Sequence, residues 1–306
     1  MRVLFVSSAN RKGEINPVVY NQGLSLLKEG IDLRFFGVRG KGASGYLRNT
    51  GLLRKQIRDF QPDIVHAHYL LSGAVATLAG ARPLVVSLMG SDVHGSRRQR
   101  FVSSFMARHC WKVCIVKTVR MQKALGTVDS LVIPNGVDLE LFRPGDREEA
   151  CREAGWDSSS VNVLFPSDPG RAEKNYLLAE KAAGRADDSG MKLRILRDVS
   201  RENVVNYLNA ADAVLLTSLW EGSPNIIKEA MACNIPVVST DVGDVREITG
   251  ETSGCFITGY DADEISEALL KAVKCRPTDG RRHIEHLDAG VVARRLINVY
   301  TRLAGS

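Results

Sequence analysis

A chain of 306 residues is long for one compact domain, and its 44% hydrophobic and 25% charged content is ordinary globular material, enough for two cores. No apolar run reaches the roughly 20 residues of a membrane span, and Met1-Arg2-Val3-Leu4-Phe5-Val6 lacks the pattern of a secretory leader, so a cytoplasmic protein is expected. Charge is uneven: residues 1–143 carry 21 Lys/Arg against 9 Asp/Glu, whereas residues 144–306 carry 20 against 26. A basic front half favours an anionic partner: nucleic acid, a phosphorylated substrate or an acidic membrane surface.

In chain order, short apolar runs of strand length alternate with helical periodicity. Strands are expected at Val3–Ser7, Asp32–Phe36, Ile64–His68, Leu84–Leu88, Val113–Val116 and Ser130–Ile133, with helices at Val18–Lys28 and Tyr46–Phe60. A further stretch, Arg98–Lys112, puts Phe101 and Phe105 on one face if helical, flanked by Arg97, Arg98, Arg100, Arg108 and Lys112 and followed by Trp111. It reads equally as a membrane-docking surface and as a core helix with solvated arginines. Cys110 and Cys114 are spaced for one helix face and have no second pair, so no zinc site is expected. His66 and His68 point to one strand face without a carboxylate or cysteine pattern beside them. They read as packed, hydrogen-bonded interior rings rather than metal ligands.

Pro134-Asn135-Gly136 followed by Pro144-Gly145 is the candidate boundary. Beyond it the alternation restarts, with strands at Asn162–Phe165, Lys192–Leu196, Ala213–Thr217, Pro236–Ser239 and Gly254–Ile257. Helices are expected at Tyr176–Ala183, Glu202–Asn209, Asn225–Ala232 and Ala262–Lys274. Short strands bounded by helices imply parallel sheets covered on both faces, an α/β architecture. The segment Trp220-Glu221-Gly222-Ser223-Pro224-Asn225-Ile226 leads from a strand into a helix that contains Glu229. Pro224 suits a first helical turn, and the N–H groups of Asn225 and Ile226 with the helix dipole behind them suit a diphosphate. Glu221 lies before the helix and Glu229 within it, so the two carboxylates address different parts of one ligand. The alternative is a capped surface helix with solvated glutamates.

Glu221 and Glu229 reproduce an E-x7-E motif. Asp63-Ile64-Val65-His66-Ala67-His68-Tyr69, Gly90-Ser91-Asp92-Val93, Pro134-Asn135-Gly136-Val137-Asp138, Ala211-Asp212 and Pro236-Val237-Val238-Ser239-Thr240 with Val242-Gly243 stand in order around it. In these features, over nearly its whole length, the chain resembles the retaining GT-B fold glycosyltransferases of family 4, glycosyl transferases group 1. The resemblance implies two Rossmann-like domains facing across a cleft. Residues 1–143 would form the acceptor-side domain and 144–306 the nucleotide-sugar donor domain, with the last helix able to pack back on the first. It also implies that Glu229 binds the donor ribose and that Glu221 faces the donor sugar. Gly222, Ser223, Pro224, Asn225 and Ile226 would line sugar and phosphate with backbone amides. Arg171 and Lys174 match the basic pair that neutralises the diphosphate, in the place of a metal ion. Gly13 lets backbone approach the donor phosphate or is an ordinary turn glycine. Val199 lies where relatives frame the nucleobase. The implied activity is metal-independent, cofactor-free transfer from a UDP- or GDP-sugar to a saccharide or lipid-linked acceptor, with no nucleic-acid partner.

Two departures qualify this. The family's His before Gly-Ser-Asp is Met89 here, so His94 either takes its place or is a surface histidine, and Asp92 either orients the acceptor or caps a helix. Between Leu196 and Ala211 the usual extra strand and glycine-rich loop are missing, which leaves uracil and guanine undistinguished. A nucleotide-sugar epimerase and a catalytically silent binding subunit remain as alternatives. Gly40-Lys41-Gly42-Ala43-Ser44-Gly45 matches a dinucleotide fingerprint, but the acidic residue, Asp63, opens a strand where it should close one. It is read as a flexible acceptor-side loop. Gln22-Gly23-Leu24-Ser25-Leu26-Leu27-Lys28-Glu29-Gly30-Ile31-Asp32, Gly40-Lys41-Gly42 with Gly45-Tyr46-Leu47, and His66-Ala67-His68-Tyr69 resemble a bacterial subset used in surface-polysaccharide synthesis.

Overall fold

The structure, a computed structural model, describes all residues except 11–12, 41, 127–128, 187–189 and 306. The chain divides into two compact units, Met1–Gly136 with Ala289–Ser306, and Val137–Asp288. The first unit holds β1 (Arg2–Ser8), β2 (Asp32–Val38), β3 (Ile64–His68), β4 (Leu84–Ser87), β5 (Val113–Val116) and β6 (Leu131–Val132), in the order β2-β1-β3-β4-β5-β6. The second holds β7 (Val161–Phe165), β8 (Met191–Ile195), β9 (Ala213–Leu216), β10 (Val237–Thr240) and β11 (Cys255–Thr258), in the order β11-β10-β9-β7-β8. All of these pairings are parallel.

Parallel strands covered on both faces must be apolar along their whole length. β3, β4, β9 and β10 are buried at every residue. In the first unit, Leu4, Val65, Val86 and Val116 face one helical layer, while Phe5, Ile64, Val85 and Ile115 face the other. The second layer includes Val292, Ala293, Leu296 and Tyr300 of the C-terminal helix Ala289–Ala304, which thus belongs to the first unit. In the second unit, Leu164, Val214 and Val237 face one layer and Val163, Leu215 and Val238 the other. Among the described residues, no helix is long and apolar enough to cross a membrane.

Several sequence expectations shift. Residues 137–143 belong to the second unit rather than the first, because the Val137 N–H donates to the Leu287 carbonyl at 2.9 Å and Phe142 is fully buried among Leu164, Leu208 and Val214. Proline and glycine mark a turn but do not say which core the next side chains enter. The expected Tyr46–Phe60 helix is two, Gly42–Leu47 and Asn49–Phe60. The buried Asn49 amide donates to the Gly45 and Arg39 carbonyls, both at 2.7 Å, a local competitor to continuous helix. Those bonds close the glycine-rich loop on itself, and a Cβ on Gly40 would meet Gly45 Cα at 2.8 Å. These two glycines serve a backbone crossing; Lys41 of the motif lies outside the described residues. The basic helix runs Arg97–His109, short of the expected end at Lys112, and Trp111, beyond it, is buried in the core while Phe101 and Phe105 are exposed. Cys110 caps that helix and Cys114 is in β5, so they share no helix face. All six cysteines are free thiols.

Candidate active site

Each sheet sets its first strand between its second and third, and ligands bind beyond the carboxyl ends of such strands, where the loops diverge. In the second unit that point lies between β7 and β9. The loop after β7 ends in a tight turn, Ala172–Lys174, and the left-handed Asn175. Thr217 Oγ, beyond β9, donates to the Lys174 and Asn175 carbonyls, both at 3.0 Å, and the Leu219 N–H donates to the Glu173 carbonyl at 2.8 Å. Pinned in this way, Lys174 Nζ meets Glu221 Oε1 at 2.5 Å, and Ser218 Oγ donates to the same oxygen at 2.8 Å. The two side chains are only 12% and 14% exposed. Arg171 is elsewhere: its guanidinium pairs with Glu173 at 2.5 Å and is 56% exposed. The expected basic pair is therefore one buried lysine engaged with Glu221 and one arginine in water.

After Glu221 the turn Gly222-Ser223-Pro224 delivers the helix Asn225–Ala232. Pro224 occupies the cap position, one residue before the turn in which it was expected. Its carbonyl takes the Ile227 N–H at 3.3 Å, and helical geometry provides no carbonyl for the N–H groups of Asn225 and Ile226. Glu229, inside the helix, is 8% exposed and lies 3.7 Å from Arg201. Burial pushes its carboxyl above the ordinary range, opposed by Arg201 and then by Lys228. Arg201 opens the helix Arg201–Ala210 two residues after the half-buried Val199, so the abbreviated connection after β8 supplies the cation that meets Glu229.

In the first unit the switch point lies between β1 and β3. Gly13, in the turn after β1, is left-handed with φ 78°, and its carbonyl accepts from Arg39 at 3.4 Å. His66 and His68 are fully buried and stacked 4.3 Å apart. His66 shares hydrogen bonds with Tyr300 Oη at 2.5 Å and Ser87 Oγ at 2.9 Å. Tyr69 follows at φ 72° and accepts from Asn16 at 3.3 Å, and burial with Asp92 nearby pushes its phenol to about 12. Asp92 is buried, with its oxygens accepting from the Leu70 N–H at 3.0 Å and the Met89 N–H at 2.9 Å. It thereby caps the helix Leu70–Leu78 rather than the one after it. His94 is half-buried, its imidazole held low by burial and by Arg100 and Arg120. Among the described residues, no three His, Cys, Asp or Glu side chains form a metal-binding group.

Sequence reasoning missed Ser218, Arg201, Lys228 and Asp244. Lys228 donates to Ser223 Oγ at 2.6 Å, and Ser223 Oγ donates to Asp244 Oδ2 at 2.7 Å. The sequence gives no signal for them: Lys228 stands beside the motif glutamate on a helix, where a lysine reads as solvated.

Comparison with known proteins gives a consistent result. Residues 18–141 match Glycosyltransferase Family 4, and residues 180–285 match Glycosyl transferases group 1. A glycosyltransferase named for teichuronic acid biosynthesis, TuaC of Bacillus subtilis, is 28% identical over 242 residues, covering 70% of this chain and 62% of that protein. The D-inositol 3-phosphate glycosyltransferase of Actinosynnema mirum is 27% identical over 283 residues, covering 72% and 67%. The matched stretch thus spans about two thirds or less of these relatives. Among solved structures, sucrose-phosphate synthase from Thermosynechococcus elongatus superposes with a TM-score of 0.80 at 15% identity, covering 100% of both chains. Anabaena Alr3699/HepE in complex with UDP-glucose gives 0.77 at 15% identity, covering 99% of this chain and 100% of that one.

Proposed function

We infer that this chain, which belongs to the GT-B glycosyltransferases, moves a sugar from a nucleoside-diphosphate sugar to an acceptor hydroxyl, with retention and without a catalytic metal. The observation that carries this is the Lys174–Glu221 contact at 2.5 Å, at the switch point of the second unit and just before the Asn225–Ala232 helix. An ammonium and a carboxylate mostly withdrawn from water are ready for a ligand that offers each a replacement. A diphosphate replaces the carboxylate beside Lys174, and a sugar hydroxyl replaces the ammonium beside Glu221. As the bond from the anomeric carbon to the diphosphate breaks, its electron pair leaves on the diphosphate. Lys174 and the N–H groups of Asn225 and Ile226 meet that growing charge where water cannot screen it. Arg171, in the same loop, adds a second cation from solvent. Glu229 takes the ribose hydroxyls, with Arg201 opposing the burial that raises its carboxyl, and Val199 borders the base. A protein of this fold that holds UDP-glucose supports a UDP- or GDP-sugar as donor.

The acceptor side falls to the first unit, through Asp92 and His94, with a saccharide or lipid-linked saccharide of surface-polysaccharide synthesis as the acceptor. TuaC supports that class. The helix Arg97–His109 supports attachment to an anionic membrane: Phe101 and Phe105 are 72% and 53% exposed, beside Arg97, Arg98 and Arg108. The experiment is calorimetric titration with UDP, GDP and their sugars, followed by anomer analysis of the product in EDTA. Binding of one nucleotide class and a retained anomer in EDTA are expected. An inverted product, or turnover that EDTA abolishes and Mn²⁺ restores, defeats the mechanism. A new epimer formed without acceptor makes the chain an epimerase.

A further inference from the structure

Apart from the pull of the Lys228 charge on Glu229, Lys228 and Asp244 have no part in the chemistry described above, yet both are buried directly behind the turn that starts the Asn225–Ala232 helix. Long side chains in a helix run back toward its N-terminus. From the fourth helical position, Lys228 reaches back past the first turn and donates to Ser223 Oγ at 2.6 Å. Ser223 Oγ in turn donates to Asp244 Oδ2 at 2.7 Å. Asp244 lies in the turn between β10 and the helix Val245–Thr249. Backbone makes a second contact at the same place: Gly243 has φ 59°, and a Cβ there would meet the Gly222 carbonyl oxygen at 2.5 Å. The turn 222–224 is therefore gripped twice by the turn 242–244, once through backbone and once through the lysine–serine–aspartate chain.

Stability alone is a weak reason for that chain. Burial lowers the Lys228 ammonium and raises the Asp244 carboxyl, each opposed by the other's charge. Apolar residues of similar volume often replace such a buried pair at no loss of stability, whereas a charged chain fixes direction and distance in a way that apolar packing does not. Ser223 is where that fixed geometry is delivered. It precedes Pro224 and the N–H groups of Asn225 and Ile226, whose aim must be correct to within a fraction of an ångström to stabilise a developing charge.

We propose that Lys228 and Asp244 are positioning residues of the donor site, which clamp the Ser223 hydroxyl and so fix the Gly222-Ser223-Pro224 turn against the donor diphosphate. This rests on the reading of residues 223–226 as the segment that meets the diphosphate.

The variants are Lys228→Met, Asp244→Asn and Ser223→Ala in the full chain. One readout needs no ligand: amide hydrogen exchange at Ile227, whose N–H donates to the Pro224 carbonyl of the clamped turn. Lys228→Met is expected to speed it by about tenfold or more, with the amides of β9 and β10 unchanged. The second readout is steady-state kinetics with a nucleotide sugar that the wild type uses. The donor KM is expected to rise by about tenfold or more, with the acceptor KM unchanged. Lys228→Met combined with Ser223→Ala is expected to be no worse than the worse single variant, because both act through one hydroxyl. Unchanged exchange overturns the clamp. Effects that multiply overturn it as well, since Lys228 then acts on the diphosphate itself. Faster exchange with wild-type kinetics overturns the link to the donor. If Lys228→Met does not fold, the shape-preserving Asp244→Asn carries the same readings. A wild type that accepts no nucleotide sugar defeats the functional reading, and exchange rates alone then decide whether the clamp exists.

Discussion

Both units set a first strand between a second and a third, so both offer a switch point with loops diverging from two strands. What stands at that point differs in kind. Beyond β7 and β9 it is an ion pair, Lys174 with Glu221, and a helix that starts just after. At β1 and β3 it is aromatic: Phe5 packs edge-on against His66, His66 stacks on His68, and Tyr300 and Ser87 hold the His66 nitrogens. One arrangement sets opposite charges side by side, and the other buries imidazoles whose pKa that burial lowers. The same topology carries two kinds of chemistry, so the fold fixes the place and not the groups that stand there.

The comparison breaks most readily at Lys174. Lys174→Ala is expected to lower kcat by about 100- to 1,000-fold, the range for removing one group that stabilises transition-state charge. Donor binding changes less, because the charge beside the lysine grows as the bond breaks. Single-turnover rates beside calorimetric donor affinity check this, and unaltered kcat moves the reaction away from the charged switch point. Glu229→Gln is expected next, with donor affinity weaker by about 10- to 150-fold through loss of charge-assisted bonds. Its effect on stability has the opposite sign. Burial raises the folded pKa of Glu229, so its contribution to stability is full below the unfolded value and lost as pH rises through the folded one. Glutamine removes that loss. The variant should match or exceed wild-type Tm at neutral pH while binding donor poorly, and a lower Tm with normal affinity would make Glu229 a structural residue.

The strands were legible because sheets buried on both faces demand unbroken apolar runs, and the run from β9 through Glu221 to Glu229 carried its spacing on the surface of the sequence. Lys174 was legible from its neighbours in the loop after β7. What it touches was not, since the contact depends on Thr217 fixing the loop from 43 and 42 residues away. Lys228 and Asp244 were hidden for a related reason. A lysine beside a glutamate on a helix reads as a solvated pair, and only the packing of the 242–244 turn against the 222–224 turn turns it inward. The end of the basic helix misled because periodicity ran on to Lys112, and the unit boundary because Phe142 enters the core that follows it.

The neutral character of the first switch point has its own test, smaller in effect. Burial holds His66 and His68 well below 6.5, helped by Lys117 and, for His68, by His66. The unfolded chain therefore takes up protons that the folded unit refuses. Stability contributed by the two rings is present above the ordinary histidine value and lost as pH falls below it. Urea unfolding should weaken on going from about pH 7 to about pH 5, with a slope of up to about 1.4 kcal/mol per pH unit for each ring. His68→Leu should flatten the slope. Acid-insensitive unfolding would mean that the rings are charged in the fold and that the two switch points are alike.

The smallest expected effect sharpens the contrast in surface charge. Residues 1–143 carry a net charge of +12 and residues 144–306 carry −6, and the helix Arg97–His109 concentrates the first excess beside exposed phenylalanines. The helix rests on its own unit through Ser103, whose hydroxyl donates to the Asp92 carbonyl at 3.0 Å, which leaves Phe101 and Phe105 one turn apart on the solvent side. Trp111 does not join them, so the proposed anchor would be two rings with a modest apolar part. The proposed attachment would then lean on charge, since each basic residue near an anionic surface adds about 1 kcal/mol. Arg98→Ser alone should lower co-sedimentation with phosphatidylglycerol vesicles by about fivefold at low salt, and hardly at all at about 0.5 M salt, where the screening length is only a few ångströms. Phe101→Ser should lower it at both. A wild type that ignores anionic vesicles at low salt would leave these rings without a bilayer to enter, and a soluble saccharide would become the acceptor to try first.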